Sequence, residues 1–269
     1  MGLFNKLFDK KANEPFIPSD EAVAIMDRLG CPCEVIESGR LTSAQVMALY
    51  RDALADGRRE GFVPLIIIPS DTLLETLDLH GDDCHSQGLN TVEARQKIIE
   101  QADRADAEVI LRERYREAMD FGDDSALRES DVIGEIAEGN PLHEFISLKA
   151  YGGGDGLCPE CILAKIPAAN SCQLPAWVPM GGFNDCPHPH EQVAIFRYWN
   201  LSFGAHPAVV GYDTWECFVE RPPADDKAAM ALALEQMAYA PDIVFQGIES
   251  IGALADSLRD TPVWFFWWD

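Results

Sequence analysis

The chain closes on Val263-Trp-Phe-Phe-Trp-Trp268, six apolar residues of which five are aromatic. No other stretch restricts the fold as hard. As a strand it puts Trp264, Phe266 and Trp268 on one side and Phe265 and Trp267 on the other, because side chains alternate with a period of two. Each aromatic can bury on the order of 150–250 Å². Both sides therefore need cover, which predicts a buried C-terminal strand in the interior of a layered sheet. A second run, Phe62–Ile68, is almost continuously apolar and stops at Pro69. It too predicts a strand buried on both faces.

Helical periods alternate with these runs. Ser19 or Asp20 caps a helix through Arg28, stopped by Gly30, and Cys33–Glu37 follows as a short strand. Thr42-Ser43 opens a second helix to about Asp56, and Ser70-Asp71 caps a short one over Thr72–Leu79. A long helix is expected from Asn90-Thr91 to about Met119, its exposed face carrying Glu93/Lys97, Glu100/Arg104 and Glu108/Arg112 four residues apart. Later come a strand at Cys161–Ile166, a helix from about His190 to Phe203, and strands at Ala208–Gly211 and Thr214–Glu220. A helix over Asp226–Tyr239 and another over about Ile248–Leu258 precede the terminal strand. This order predicts an α/β fold, with mixed α+β as the alternative: a mixed, mostly parallel sheet flanked by helices. Residues 1–14 read as an amphipathic N-terminal tail, 15–140 as an N-terminal α/β half, 141–159 as a Gly-rich connection and 160–269 as a C-terminal domain. Gly61-Phe-Val-Pro64 before one strand echoes Gly204-Ala-His-Pro207 before another, either by coincidence or as two related helix–strand units.

Charge narrows the partners. Lys and Arg number 21 against 45 Asp and Glu, a formal charge of −24, which opposes binding to nucleic acid or an anionic membrane face. The longest apolar runs are far shorter than a membrane span of about 20 residues. Leu3-Phe4 is cut off by Asn5-Lys6, so no signal-peptide core is present, and the 8 cysteines come without a secretion signal. A cytoplasmic protein is expected.

Signatures of chemistry are sparse. Cys158-Pro-Glu-Cys161 could supply two of the four ligands zinc requires, with Cys186 and His188 downstream. The second pair is irregular, and Cys161 would point into a sheet, so no metal and no other cofactor is expected. His80-Gly-Asp-Asp-Cys-His85 and Cys31-Pro-Cys33 read as a polar loop and a helix-to-strand turn. There is no G-x-S-x-G elbow, no Walker loop and no G-x-G-x-x-G.

The second half carries a resemblance. Leu174-Pro-Ala-Trp-Val-Pro-Met-Gly-Gly-Phe-Asn-Asp-Cys-Pro187, Arg197-Tyr-Trp199, Phe203-Gly-Ala205, Asp213-Thr214, Arg221-Pro-Pro223, Glu235-Gln236, Pro241-Asp-Ile-Val244, Gln246-Gly247 and the aromatic ending resemble the bacterial family called domain of unknown function 4253. The resemblance covers about 160–269 and, less fully, 61–77. Cys172-Gln173, Phe183 and Ala240 depart from the family's usual Trp-Glu, Trp and Cys. The resemblance implies no activity.

Two functions follow from the residues. The first is a non-catalytic cytosolic protein, of immunity or regulatory type, whose carboxylates steer a basic protein partner. The second is an enzyme or small-ligand binder using polar residues embedded in the apolar motifs: Arg197, Asp213, Glu216, Asp242, Gln246 and Asp269. Convergence of these on a concave pocket favours the second, and dispersal into caps and ion pairs the first.

Overall fold

A computed structural model describes residues 16–120, 128–150 and 156–269; the expected N-terminal tail lies outside them. Its helices are α1 (Asp20–Leu29), α2 (Ser43–Glu60), α3 (Asp71–Ser86), α4 (Thr91–Arg104), α5 (Ala107–Ala118), α6 (Glu129–Ile133), α7 (Ser147–Ala150), α8 (Leu174–Trp177), α9 (Pro189–Phe203), α10 (Asp226–Tyr239) and α11 (Ile251–Leu258). Six strands, β1 (Cys33–Ile36), β2 (Val63–Ile67), β3 (Cys161–Ile166), β4 (Ala205–Val210), β5 (Thr214–Val219) and β6 (Val263–Trp267), form one sheet in the order β1-β3-β2-β4-β5-β6.

Local chemistry sets most element ends. Ser19 Oγ accepts the Ala22 N–H at the start of α1, and Gly30 ends it with φ +63°, a left-handed conformation that glycine adopts without a Cβ clash. Thr42 and Gln45 form a reciprocal cap on α2, and Asn90 and Glu93 do the same on α4. The expected single helix to Met119 is two. Asp106 breaks it, its Oδ1 accepting from Glu108 N–H (3.0 Å) and Val109 N–H (3.2 Å) to cap α5. Helix α3 in turn runs on to Ser86, so His80–His85 is helical rather than a loop.

The sheet is mixed, as expected, but mostly antiparallel. Only β2 and β4 pair in parallel, with Ile66 opposite Val209 and Ile67 opposite Val210. Every other neighbouring pair is antiparallel. The alternation of helix and strand carried no information on direction. Here β4 turns directly into β5, a connection open only to antiparallel neighbours, and β3 returns between β1 and β2. The parallel centre pairs the strands of the two echoed units, β2 and β4, and Gly61 and Gly204, which end α2 and α9, both have positive φ.

Helices cover both faces. On one, the core joins Ile25, Leu65, Ile67, Ile162, Phe196, Trp199, Trp215, Tyr239 and the terminal aromatics. On the other, α2 contributes Val46, Met47 and Tyr50, packed with Phe145, Leu148, Leu163, Val209 and Val263. Contrary to the interior position expected for it, β6 is an edge strand. Its burial is one-sided: Trp264 and Phe266 are fully buried, whereas Phe265 and Trp267 are half-buried. Trp199 covers the buried face of this edge: its ring stacks on Phe266 at 5.5 Å and meets Trp264 edge-on at 5.8 Å.

Candidate functional site

The polar residues picked out in the sequence disperse. Glu216 is fully buried on β5, where its Oε1 accepts the Ile146 N–H (2.8 Å) and its Oε2 the Ser147 N–H (3.1 Å). It thus holds the start of α7 against the sheet. Burial pushes its carboxyl up to about 7, against the pull of those hydrogen bonds. Asp213, also buried, accepts from the Thr214 hydroxyl, and its carbonyl receives the Trp268 N–H. Asp242 accepts the Gln246 amide (2.9 Å) and the Asp269 N–H (2.9 Å), pinning the last residue to the π-helical turn Ile243–Ile248. Asn184 donates to the Asp269 carbonyl. Arg197 pairs at 2.7 Å with Asp103 of α4, on the surface. Asp242, Gln246 and Asp269 do come together, with both oxygens of the Asp242 carboxylate taken up by the other two.

The cysteine and histidine candidates separate too. Cys158 and Cys161 are buried on one face of the sheet and Cys186 on the other. Cys158 Sγ donates to the Glu160 carbonyl, and Cys186 lies 3.7 Å from the Met180 sulfur. His188 sits at the start of α9, its ring stacked with that of His190. Among the described residues no three His, Cys, Asp or Glu side chains gather as a metal ion would require. Likewise, among the described residues no helix is long and apolar enough to cross a membrane.

What does converge was quoted in the motifs but not singled out. A hollow of about 580 Å³ opens between α5, α6, α9 and α10, lined by Glu108, Glu129, Glu235, Tyr115, Tyr198 and Arg112 over a floor of Leu111, Ile133 and Leu234. Glu235 is its fixed point: Tyr198 O–H donates to Oε1 (2.9 Å) and the Trp199 indole N–H to Oε2 (2.8 Å). Burial raises the Glu235 carboxyl above the usual range, the two hydrogen bonds pull it back, and nearby Glu108 adds to the rise. Opposite, Tyr115 O–H donates to Glu129 at 2.8 Å. Three carboxylates against the single guanidinium of Arg112, with two phenol rings above an apolar floor, suit a cation with a hydrocarbon stem. The sequence held a clue: Arg197-Tyr-Trp199 and Glu235-Gln236 are motif segments, and the hydrogen bonds join Tyr198 and Trp199 to Glu235. The segment before them that completes the hollow carries no such mark.

A second arrangement escaped the sequence. Ser171 Oγ lies 2.8 Å from His206 Nδ1, and His206 Nε2 lies 3.6 Å from Glu220 Oε1, itself paired with Arg58. These are the residue types of a hydrolase triad. Ser171, however, is only 5% exposed, and the Cys172 N–H beside it already donates to Asn170 Oδ1. Neither access for a substrate nor a free oxyanion donor at that amide accompanies the pair.

An α/β protein with a mixed sheet and an anionic hollow is thus the class that fold and site define. Residues 162–269 match the family described as Domain of unknown function (DUF4253). The match takes in β4–β6 and α8–α11, together with Tyr198, Trp199 and Glu235. Glu108, Tyr115 and Glu129 lie before it, so the hollow straddles its boundary. No curated protein and no solved structure matches the chain.

Proposed function

We propose that the chain is a non-catalytic, acidic protein of the bacterial cytoplasm, of immunity or regulatory type, that binds a basic protein partner. The hollow around Glu235 is the observation that carries this reading. A lysine or arginine of the partner would lay its stem on Leu111, Ile133 and Leu234 and its charge among Glu108, Glu129 and Glu235. The net charge of −24 supports the same reading, because a field of that sign speeds encounter with a cationic surface. So does the separate engagement of Arg197 with Asp103, Asp213 with Thr214 and Glu216 with the start of α7, apart from the group Asp242, Gln246 and Asp269.

The test is anisotropy with a labelled arginine-rich peptide and its glutamate-for-arginine counterpart. The cationic peptide should bind, and bind less as salt rises. Replacing Glu108 and Glu129 together by Gln should weaken it about tenfold, the loss of about 0.7 kcal/mol at each of two exposed carboxylates. The exposed pair Glu34→Gln and Asp52→Asn, which removes the same charge elsewhere, should change it little. Equal loss in both double variants, or binding of the acidic peptide, would refute the assignment of the hollow.

A further inference from the structure

The turn between α1 and β1 carries Cys31-Pro-Cys33, read above as no more than a connection. In the structure the Cys31 and Cys33 sulfurs stand 4.0 Å apart, and both residues are half-buried rather than enclosed. Cys33 lies on β1, an edge of the sheet, so one side of the pair has no neighbouring strand over it. The Arg95 guanidinium donates to the carbonyls of Arg28 and Leu29, at the end of the helix that leads into Cys31. It is held there by stacking on the Trp177 ring, 3.7 Å from centroid to guanidinium carbon. A fixed cation therefore sits beside one thiol of a close pair.

The other cysteines differ in kind. Cys158, Cys161, Cys172, Cys186 and Cys217 are buried, and burial raises each of their thiols. Cys84, half-buried on α3, is raised as well. Cys31 alone moves the other way: the Cys33 hydrogen bond first, then the Arg95 charge, favour its thiolate against the cost of burial. Cys33 moves up, as the member of the pair that keeps its proton. Nucleophile and proton-bearing partner are thus distinguished within three residues.

We propose that Cys31 and Cys33 form a peroxide-reactive dithiol, with Cys31 the attacking thiolate and Cys33 the resolving thiol. In the first step the Cys31 sulfur attacks a peroxide oxygen. The S–O bond forms, the O–O bond breaks, and hydroxide leaves to be protonated to water. In the second, the Cys33 sulfur attacks the Cys31 sulfenic acid. The S–S bond forms, the S–O bond breaks, and the departing hydroxide takes the Cys33 proton as a second water. Two thiols lose two electrons and one peroxide is reduced to two waters. Closure needs the sulfurs to approach from 4.0 Å to the roughly 2.05 Å of a disulfide.

The experiment treats the full chain with one equivalent of hydrogen peroxide, followed by intact mass and peptide mapping. The expected product has lost two hydrogens, with the disulfide mapped to Cys31 and Cys33 and the remaining cysteines reduced. Cys33→Ser should instead accumulate a dimedone-reactive sulfenic acid at Cys31, and Cys31→Ser should leave Cys33 reduced. Arg95→Gln, its fold checked by circular dichroism, should slow the reaction at Cys31 about threefold to tenfold. First oxidation at another cysteine would overturn the proposal, as would a Cys31→Ser variant that consumes peroxide at the wild-type rate. Should a serine variant fold poorly, the ratio of iodoacetamide labelling at Cys31 to that at Cys84 in the wild-type chain decides. A ratio well above one supports the assignment, and one near unity rejects it.

Discussion

Glu216 offers the sharpest test of the physical reasoning, because a fully buried carboxylate with two backbone donors, and no counter-charge among the described residues, must respond to pH. Folding moves its pKa from the ordinary 4.5 to about 7, with desolvation the largest cause. A raised pKa means the folded state holds the proton longer than the unfolded chain. Its contribution is therefore fully present below about 4.5 and is lost as pH rises through about 7. Two and a half pH units correspond to about 3 kcal/mol. Glu216→Gln copies the protonated form, with one oxygen to accept an amide and a donor in place of the second. The variant should therefore be close to wild type near pH 5. Near pH 8 it escapes the net cost of the buried charge, in which the gain from the hydrogen bonds to the carboxylate is already counted. The difference between variant and wild type should therefore change by about 2–3 kcal/mol in the variant's favour between the two pH values. Urea denaturation of both proteins at the two pH values measures it, and the general repulsion of a −24 chain cancels in the comparison. Parallel pH profiles would show that Glu216 stays charged, or stays neutral, throughout.

Three further outcomes follow. Arg197→Met should cost no more than about 1 kcal/mol by thermal melting, because its pair with Asp103 is exposed at both ends; a loss of several would mean that the guanidinium is buried in solution. Gly252→Ala should destabilise by about 1–3 kcal/mol, since a Cβ there would stand 2.1 Å from the Glu135 carbonyl oxygen; a neutral result would show that this segment does not rest on α11. Deleting Val263–Asp269 should give insoluble protein, because it strips β5 of one of its two neighbours and Trp199 of two ring contacts; a soluble chain with cooperative melting would contradict the role given to the aromatic ending.

Caps and stops were legible because their chemistry is local. Ser19, Thr42, Asn90 and Asp225 each bond a backbone amide two or three residues on. Strand direction was not, since nothing within Cys161–Ile166 records that β3 will lie between β1 and β2. Arg197 shows the same limit: its partner Asp103 is 94 residues away in sequence. Glu216 was visible as an acid inside an apolar strand, and its use emerged only with the backbone of Ile146 and Ser147 in place. The hollow was half legible. Tyr198, Trp199 and Glu235 stand in quoted motifs, whereas Glu108 looked like one more charge on a solvated helix face.

That face bears on the main claim. Glu108 was expected to pair with Arg112 four residues on, yet both line the hollow with Glu129 and Glu235. Trp199 reports on it directly, because its indole N–H donates to Glu235 and so senses any cation that competes for the carboxylate. The measurement is an indole ¹⁵N–¹H spectrum of the 6 tryptophans, titrated with acetyl-arginine amide and, separately, with its uncharged citrulline analogue. If the hollow receives a cationic side chain, the Trp199 signal shifts saturably with the arginine compound and not with citrulline, while fully buried Trp215 stays in place. A Trp199 signal unmoved by arginine, or moved equally by both compounds, would contradict the account.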